Sequence, residues 1–443
     1  MDGLTSPRFC PRGSMRRRSD KFPSCFFLLF LLLVVLAGCG GGGSSSPSTP
    51  SSTSTPAPSS SSSSTITCKP VAVSVSGQVQ NPVSLLHTDN NGVLVELPGV
   101  SSSGASSVSG SLLLGIGTKS NNTPSAVTAF PLDDDGDFTT IYNGASYGDS
   151  FIDTGSNGLF FPSQNNKALP LCPDGQWYCP QATFSNSATQ VGFGGSPQVK
   201  VPFTIGNFET LTSADNGANR VFPDIGGPGS TFDWGLPFYF GQNIFIGIKG
   251  TSSKTLGQGP YFASGFFNGS QATGANVIPI TVNGSLCLNN AYNNEPCVSI
   301  QVCTPGTNTC QTINGILLDT GSYGLRIFKS VLNGLSLGPV STSSGGQLAE
   351  CLQYADGTAD WGPVETADVV LGGEPAVTVP VQVIDSTFPG SSNCSGTLDT
   401  GPSIDGYNGI LGVGPLQQDC GQVCADLKNL TSFAQWPYWS CGN

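Results

Sequence analysis

From Cys68 onward the chain is written in short apolar or alternating segments separated by turn signals: Asn90-Asn91-Gly92, Asp135-Gly136, Asn283-Gly284, Asn314-Gly315 and Asp356-Gly357. Alternation at a period of two predicts strands over 92–97, 199–205, 240–248 and 377–384, and Ser111-Leu112-Leu113-Leu114-Gly115-Ile116-Gly117 reads as a buried strand. No long stretch holds a 3.6-residue period, so only a few short helices are expected. The predicted fold class is all-β. Residues 264–276, rich in Gly, Ser, Asn and Ala, mark the expected boundary between a first lobe (67–265) and a second (266–443).

The N-terminus follows a different pattern. Arg8, Arg12, Arg16, Arg17, Arg18 and Lys21 precede an apolar run over 26–36 that is too short to span a membrane comfortably and ends in Leu36-Ala37-Gly38-Cys39. These four residues resemble the lipobox of bacterial lipoproteins. The resemblance implies a signal peptide over 1–38, lipidation of Cys39 and anchoring in the cell envelope; Gly40 after the cysteine resembles the outer-membrane sorting pattern. Residues 39–66 are then a tether. Its Ser, Pro, Gly and Thr residues cannot bury enough apolar surface to fold, and as a coil they reach about 25–30 Å.

Removing residues 1–38 leaves ten basic against twenty-six acidic residues, a charge of −16, which argues against a nucleic-acid partner. Twelve cysteines remain beyond Cys39. An even number in an exported chain implies a disulfide framework, with Cys172/Cys179, Cys303/Cys310 and Cys287/Cys297 as local pairs. The chain has no C-x-x-C pair and a single histidine, His87, so no metal site is expected and a Ser-His-Asp mechanism is disfavoured. Asp133, Asp135 and Asp137 are spaced like a calcium loop, but Phe138 stands where glycine is required and no glutamate closes the loop; they read as a solvated acidic turn.

The most informative pattern is a turn that occurs twice. Phe151-Ile152-Asp153-Thr154-Gly155-Ser156-Asn157-Gly158-Leu159 and Leu317-Leu318-Asp319-Thr320-Gly321-Ser322-Tyr323-Gly324-Leu325 each run two apolar residues into Asp-Thr-Gly-Ser and on to Gly-Leu. A single Asp-Thr-Gly-Ser is often only a capped turn. Two with matching flanks point to two similar lobes, each giving one aspartate to a shared site.

These turns resemble those of pepsin-like aspartic proteases. Gln353-Tyr354-Ala355-Asp356-Gly357-Thr358 is similar to the tyrosine-bearing flap of that family, Asp368 to Gly373 to the strand and Gly-Gly turn after it, and Gly409-Ile410-Leu411-Gly412 to the strand beneath the catalytic loop. In the family the lobe bearing these features comes first, whereas here it follows the second turn, and Trp234-Gly235-Leu236-Pro237 resembles a segment late in the family's second lobe. The resemblance therefore implies a bilobed double β-barrel with pseudo-twofold symmetry and lobes swapped in chain order, as circular permutation allows when termini are adjacent.

It further implies an aspartic endopeptidase without metal or organic cofactor, acting on an extended polypeptide. Asp153 and Asp319 are the dyad, holding one proton between two close carboxylates. Gly155 and Gly321 permit the sharp turn, Ser156 and Ser322 bond the outer carboxylate oxygens, Thr154 and Thr320 lock the two loops together, and Tyr354 closes over substrate. Three positions depart from the family: Arg326 and Phe160 stand where tryptophan or another apolar residue is usual, and Pro237 where the first copy's underlying strand is expected to carry glycine. These departures leave room for another reading, an inactive envelope lipoprotein that binds peptides or glycans in the same cleft.

Overall fold

The computed structural model describes residues 66–442 other than 165, 214–216, 268, 270–271, 289–291 and 433–435. The signal segment 1–38, Cys39 and the tether up to residue 65 lie outside the described residues.

The apolar runs near 92–97 and 111–117 form β2 (Gly92–Leu97) and β3 (Val108–Leu114), paired antiparallel. Every residue of β2 is buried, Glu96 included, so the segment read from its alternation is covered on both faces. With β4 (Thr128–Pro131), β12 (Gln242–Gly247), β15 (Tyr261–Phe266) and β16 (Val277–Val282) they build an antiparallel sheet of order β4–β15–β12–β2–β3–β16. Its strands come from both sides of the expected lobe boundary, so pairing runs across residues 264–276.

Each Asp-Thr-Gly-Ser turn sits in a copy of one strand arrangement. In the first, β5 (Phe138–Tyr142), β6 (Ala145–Ile152), β7 (Leu159–Phe161), β8 (Phe184–Val191), β9 (Gln198–Ile205), β10 (Gly226–Pro228) and β11 (Asp233–Trp234) form a sheet of order β10–β7–β11–β6–β5–β8–β9. Here β11 lies parallel to β6 and antiparallel to β7, so it runs between the two strands that flank the turn. In the second copy β17 (Pro296–Cys303), β18 (Cys310–Asp319), β19 (Tyr323–Phe328), β22 (Thr358–Val370), β23 (Val377–Ile384) and β25 (Gly409–Val413) pair in the ring β17–β18–β25–β19–β23–β22–β17. Five successive pairings agree in order and polarity, from β8–β5–β6–β11–β7–β10 to β22–β17–β18–β25–β19–β23. One copy closes into a six-stranded barrel and the other remains a half-barrel. The all-β prediction holds; among the described residues the longest helical segment, Leu427–Ser432, has six residues.

The remaining strands are β13 (Ser252–Ser253) with β14 (Gly257–Gln258), β20 (Gly338–Pro339), β21 (Gln347–Gln353), β24 (Thr397–Leu398), and the chain-end pair β1 (Thr67–Pro70) and β26 (Tyr438–Gly442). β26 also pairs with β21, so the first and last described strands extend the β21–β22 hairpin into one sheet. Six disulfides staple this loop-rich fold: the three local pairs expected from spacing, and also Cys68–Cys441, Cys351–Cys394 and Cys420–Cys424, which spacing did not indicate.

Cys68–Cys441 joins residues 373 apart in sequence and so ties down the ends of the fold. Replacing both by serine should cost about 3–5 kcal/mol of stability under oxidising conditions, since the constraint on the unfolded chain grows with loop length; urea unfolding measures it. A second expectation concerns Glu96, buried on β2, whose carboxyl burial pushes up to about 7 against a hydrogen bond from the Ala272 backbone that lowers it. The folded state thus holds this proton where the unfolded chain releases it, and the contribution, full below 4.5, is lost as pH rises to about 7. Glu96→Gln should flatten that part of the stability–pH curve, read by urea unfolding at successive pH values.

Candidate active site

β6 and β18 each deliver an aspartate at the strand end, and the two turns meet. Asp153 and Asp319 are both 0% exposed, and their carboxyls come together at Gly155, where a Cβ would lie 3.1 Å from Asp153 Oδ1 and 2.8 Å from Asp319 Oδ1. Backbone N–H groups hold the inner oxygens: Gly155 donates to Asp153 Oδ1 (2.7 Å) and Gly321 to Asp319 Oδ1 (2.8 Å). Gly155 is required here by proximity: a Cβ at that position would come within 2.8 Å of Asp319 Oδ1 and 2.9 Å of its Cγ, forcing the carboxylates apart.

The threonines hold the turns together reciprocally. Thr154 N–H donates to Thr320 Oγ1 (3.0 Å) and Thr320 N–H donates to Thr154 Oγ1 (3.1 Å), so each hydroxyl caps the other turn. Thr154 Oγ1 also donates to the Leu318 carbonyl (2.7 Å), while the Thr320 hydroxyl lies 2.7 Å from that of Tyr239. All four side chains are buried, so these bonds satisfy groups that water cannot reach.

The serines differ between the copies. Ser322 donates to Asp319 Oδ2 (2.5 Å), as expected for the outer oxygen. Ser156 instead donates to Asp233 Oδ2 (2.7 Å). Asp233 is a third carboxylate, 0% exposed on β11. Burial, then the charges of Asp319 and Asp233, hold the Asp153 carboxyl well above the usual aspartate range. Burial likewise raises the phenol of Tyr239, which faces the same three acids.

Strand register corrects the expectation about Pro237. Trp234 pairs with Ile152 as Leu411 pairs with Leu318, which gives Gly235 the place that Gly412 has in the other copy. A Cβ at Gly235 would lie 2.0 Å from the Gly158 carbonyl oxygen, and one at Gly412 2.7 Å from the Tyr323 nitrogen. The glycine is therefore present in both copies, and Pro237 falls beyond it in the helical turn Leu236–Tyr239. Aligning Asp-Trp-Gly with Ile-Leu-Gly on the shared glycine is the signal that would have revealed Asp233 in the sequence.

Tyr354 lies at the turn between β21 and β22. It is 5% exposed, packs among Leu317, Phe328, Tyr407 and Ile410, and donates to Asp360 Oδ2 (2.6 Å). Arg326, the unexpected cation, is fully buried and donates to Asp419 Oδ1 (2.8 Å), Glu350 Oε1 (3.3 Å) and the Tyr323 carbonyl (2.8 Å). It thus ties the second turn's outgoing strand to the β21–β22 hairpin through Glu350. Phe160, the other departure, is buried against Trp177.

Just past the first turn, Asn157 donates to the Asn293 carbonyl (3.1 Å) and accepts from Asn294 Nδ2 (2.9 Å), so the segment closed by Cys287–Cys297 docks against the site. Cys287, Glu295 and Cys297 are grouped as metal ligands would be, but the two sulfurs are joined in the disulfide and cannot act as thiolates. The Asp133 loop is a turn in which Asp133 Oδ1 accepts from the N–H groups of Asp135 (3.0 Å) and Asp137 (2.9 Å). It borders a cavity of about 30 Å³ reaching Thr320, Gly321 and Tyr323, roughly enough for one water.

Residues 53–264 and 272–443 match the family described as protein of unknown function (DUF3443). The chain belongs to that family. No curated protein matches it. What this DUF3443 chain does must therefore be argued from its paired carboxylates.

The threonine pair gives a direct test of how the site is held. Thr154→Val or Thr320→Val strands a buried N–H on the opposite turn and should cost about 1–3 kcal/mol each. Because the two hydroxyls serve one interface, the double variant should depart from additivity by about 0.5–3 kcal/mol in a urea-unfolding cycle.

Proposed function

We propose that the protein is an aspartic endopeptidase of the pepsin-like type, with its lobes in swapped chain order. The observation that carries this reading is the meeting of the Asp153 and Asp319 carboxyls at Gly155, each set at the end of a matching strand and locked by the reciprocal threonine bonds. Two buried carboxylates in contact cannot both ionise cheaply, so they hold one proton between them. The ionised member takes a proton from a water as it attacks the peptide carbonyl carbon, and the protonated member gives its proton to the carbonyl oxygen. The chemistry uses no metal or organic cofactor. The adjacency of β1 and β26 supports the swapped order, since a chain whose ends meet can be reopened elsewhere without altering the fold.

The substrate is an extended polypeptide entering between the two turns. Both aspartates are sealed from solvent, so a cycle begins with an opening that admits water and peptide, and Tyr354 on its hairpin is the element proposed to move. Lipid at Cys39 anchors the enzyme to the bacterial envelope, at the outer membrane, with the catalytic unit held off the bilayer by the tether and facing the periplasm or the surface. The same sealing favours a second reading, in which an inactive envelope lipoprotein binds peptides or glycans between its lobes.

An unfolded protein substrate at acidic pH separates the two. Cleavage by the wild-type chain that falls at least a thousandfold in Asp153→Asn and in Asp319→Asn supports the endopeptidase. Cleavage unchanged in both variants, or none in the wild type over a range of acidic pH, overturns it.

A further inference from the structure

The two copies differ where the barrel closes. In the second, β22 pairs with β23 and seals the barrel; in the first, β9 and β10 are the outermost strands and no strand pairing joins them among the described residues. Gly227 pairs with Phe160 as Gln382 pairs with Arg326, and Phe160 and Arg326 each lie seven residues past their aspartate. Counting back three residues, Asp224 stands in the place of Val379. Val379 is fully buried and pairs with Ala367 of β22. The unsealed copy thus carries a carboxylate, 8% exposed, where the sealed copy carries an apolar side chain.

At that edge lies a cavity of about 220 Å³, lined among others by Phe203, Thr204, Asp224, Trp234, Phe238 and Phe240. Its rings are crossed rather than stacked: the Trp234 ring centre lies 5.2 Å from that of Phe238 at 60° and 6.3 Å from that of Phe203 at 90°. Gly206 N–H donates to the Asp224 carbonyl (2.7 Å) and fixes the residue at the rim. Thr204 Oγ1 donates to Asp224 Oδ1 (2.5 Å), which leaves Oδ2 for a ligand. Among the described residues no lysine or arginine pairs with this carboxylate. Burial raises it, with the Thr204 bond opposing. A buried carboxylate without a cation is costly to ionise, and a cation in the cavity removes that cost.

We propose that the open side of the half-barrel binds a primary alkylammonium group, with Asp224 as counter-ion and the four rings as walls. Aromatic faces attract an ammonium through the ring quadrupole, so walls and carboxylate select the same ligand. One free carboxylate oxygen suits a single N–H donor, whereas a guanidinium in bidentate geometry needs both. The volume is that of roughly seven waters, enough for a butylammonium chain such as the lysine side chain carries. The acidic balance beyond residue 38, −16, draws cations toward the surface. The site needs no peptidase chemistry; it stands on residues of the half-barrel alone.

Titration calorimetry of the full chain at neutral pH and constant ionic strength compares n-butylammonium, its neutral counterpart 1-butanol, and lysine capped at both ends. For so small a ligand a Kd on the order of 1 mM is expected. Butanol should bind about tenfold more weakly or worse, since it lacks the charge-assisted bond. Asp224→Asn keeps an acceptor for Thr204, so the urea midpoint should hold, while butylammonium affinity falls about tenfold and butanol affinity stays. Phe240→Ala, at the half-buried rim, should weaken both ligands.

Equal affinity for butylammonium and butanol, unchanged butylammonium affinity in Asp224→Asn, or no saturable binding of either ammonium ligand well above that concentration overturns the proposal. If Asp224→Asn does not fold, the preference of the wild type for butylammonium over butanol and its weakening in Phe240→Ala decide instead. Equal or tighter binding of the capped lysine than of butylammonium assigns the cavity to a polypeptide side chain, and the reverse to a free amine; each outcome supports an ammonium site. A chain without peptidase activity would sink the proposed function and leave this measurement intact.

Discussion

The crossed hydrogen bonds between Thr154 and Thr320 are the constraint on which the site depends. Two carboxylates drawn out of water into contact repel unless one is neutral, and the arrangement persists only where the surrounding backbone over-determines it. Here each turn supplies a hydroxyl that the other turn's N–H requires, and Gly155 leaves room for the opposite aspartate. The strands behind the turns then follow from the same demand: β11 and β25 run directly beneath, with Gly235 and Gly412 where any side chain would strike the loop.

Around this pair the molecule carries an uncommon amount of buried charge for so few charged residues. Asp233 and Tyr239 adjoin the dyad, and Arg326, Glu350 and Asp419 form a second group under the β21–β22 hairpin, where the Asp419 carboxylate also accepts from Tyr438 (2.9 Å). A buried ion pair contributes little net stability relative to an apolar isostere, but removing one partner leaves an uncompensated charge and costs about 3–5 kcal/mol. Such groups fix geometry more than they add stability. The Arg326 group joins the strand leaving the second turn, the hairpin and the last strand of the chain, so the position of Tyr354 is coupled to both the site and the chain end.

Much of this was legible because it depends on local pattern. Alternating segments and Asn-Gly or Asp-Gly turns read as strands, and the strands formed. Two Asp-Thr-Gly-Ser turns with equal flanks announced a repeated unit, and the repeat returned as five matched strand pairings. Cysteines seven or ten residues apart were readable as pairs, whereas Cys68 and Cys441, separated by 373 residues, could be matched only once β1 and β26 lay side by side. Asp233 escaped notice because it sits between Phe232 and Trp234, in a segment whose surroundings are aromatic and whose register is set by a strand 82 residues earlier.

The sequence by itself determined which residues would form strands, that the acidic turn is duplicated, and that an even set of cysteines is available to cross-link the fold. Each of these follows from spacing within a short window, where backbone geometry links neighbours directly. Only the tertiary structure decided that the two aspartates touch, that Ser156 and Ser322 face different partners, and that Arg326 is neutralised by Glu350 and Asp419. Those outcomes depend on distances between segments far apart in the chain, and for a buried charge the identity of the facing group, rather than its own, sets whether it is ionised and what it can do.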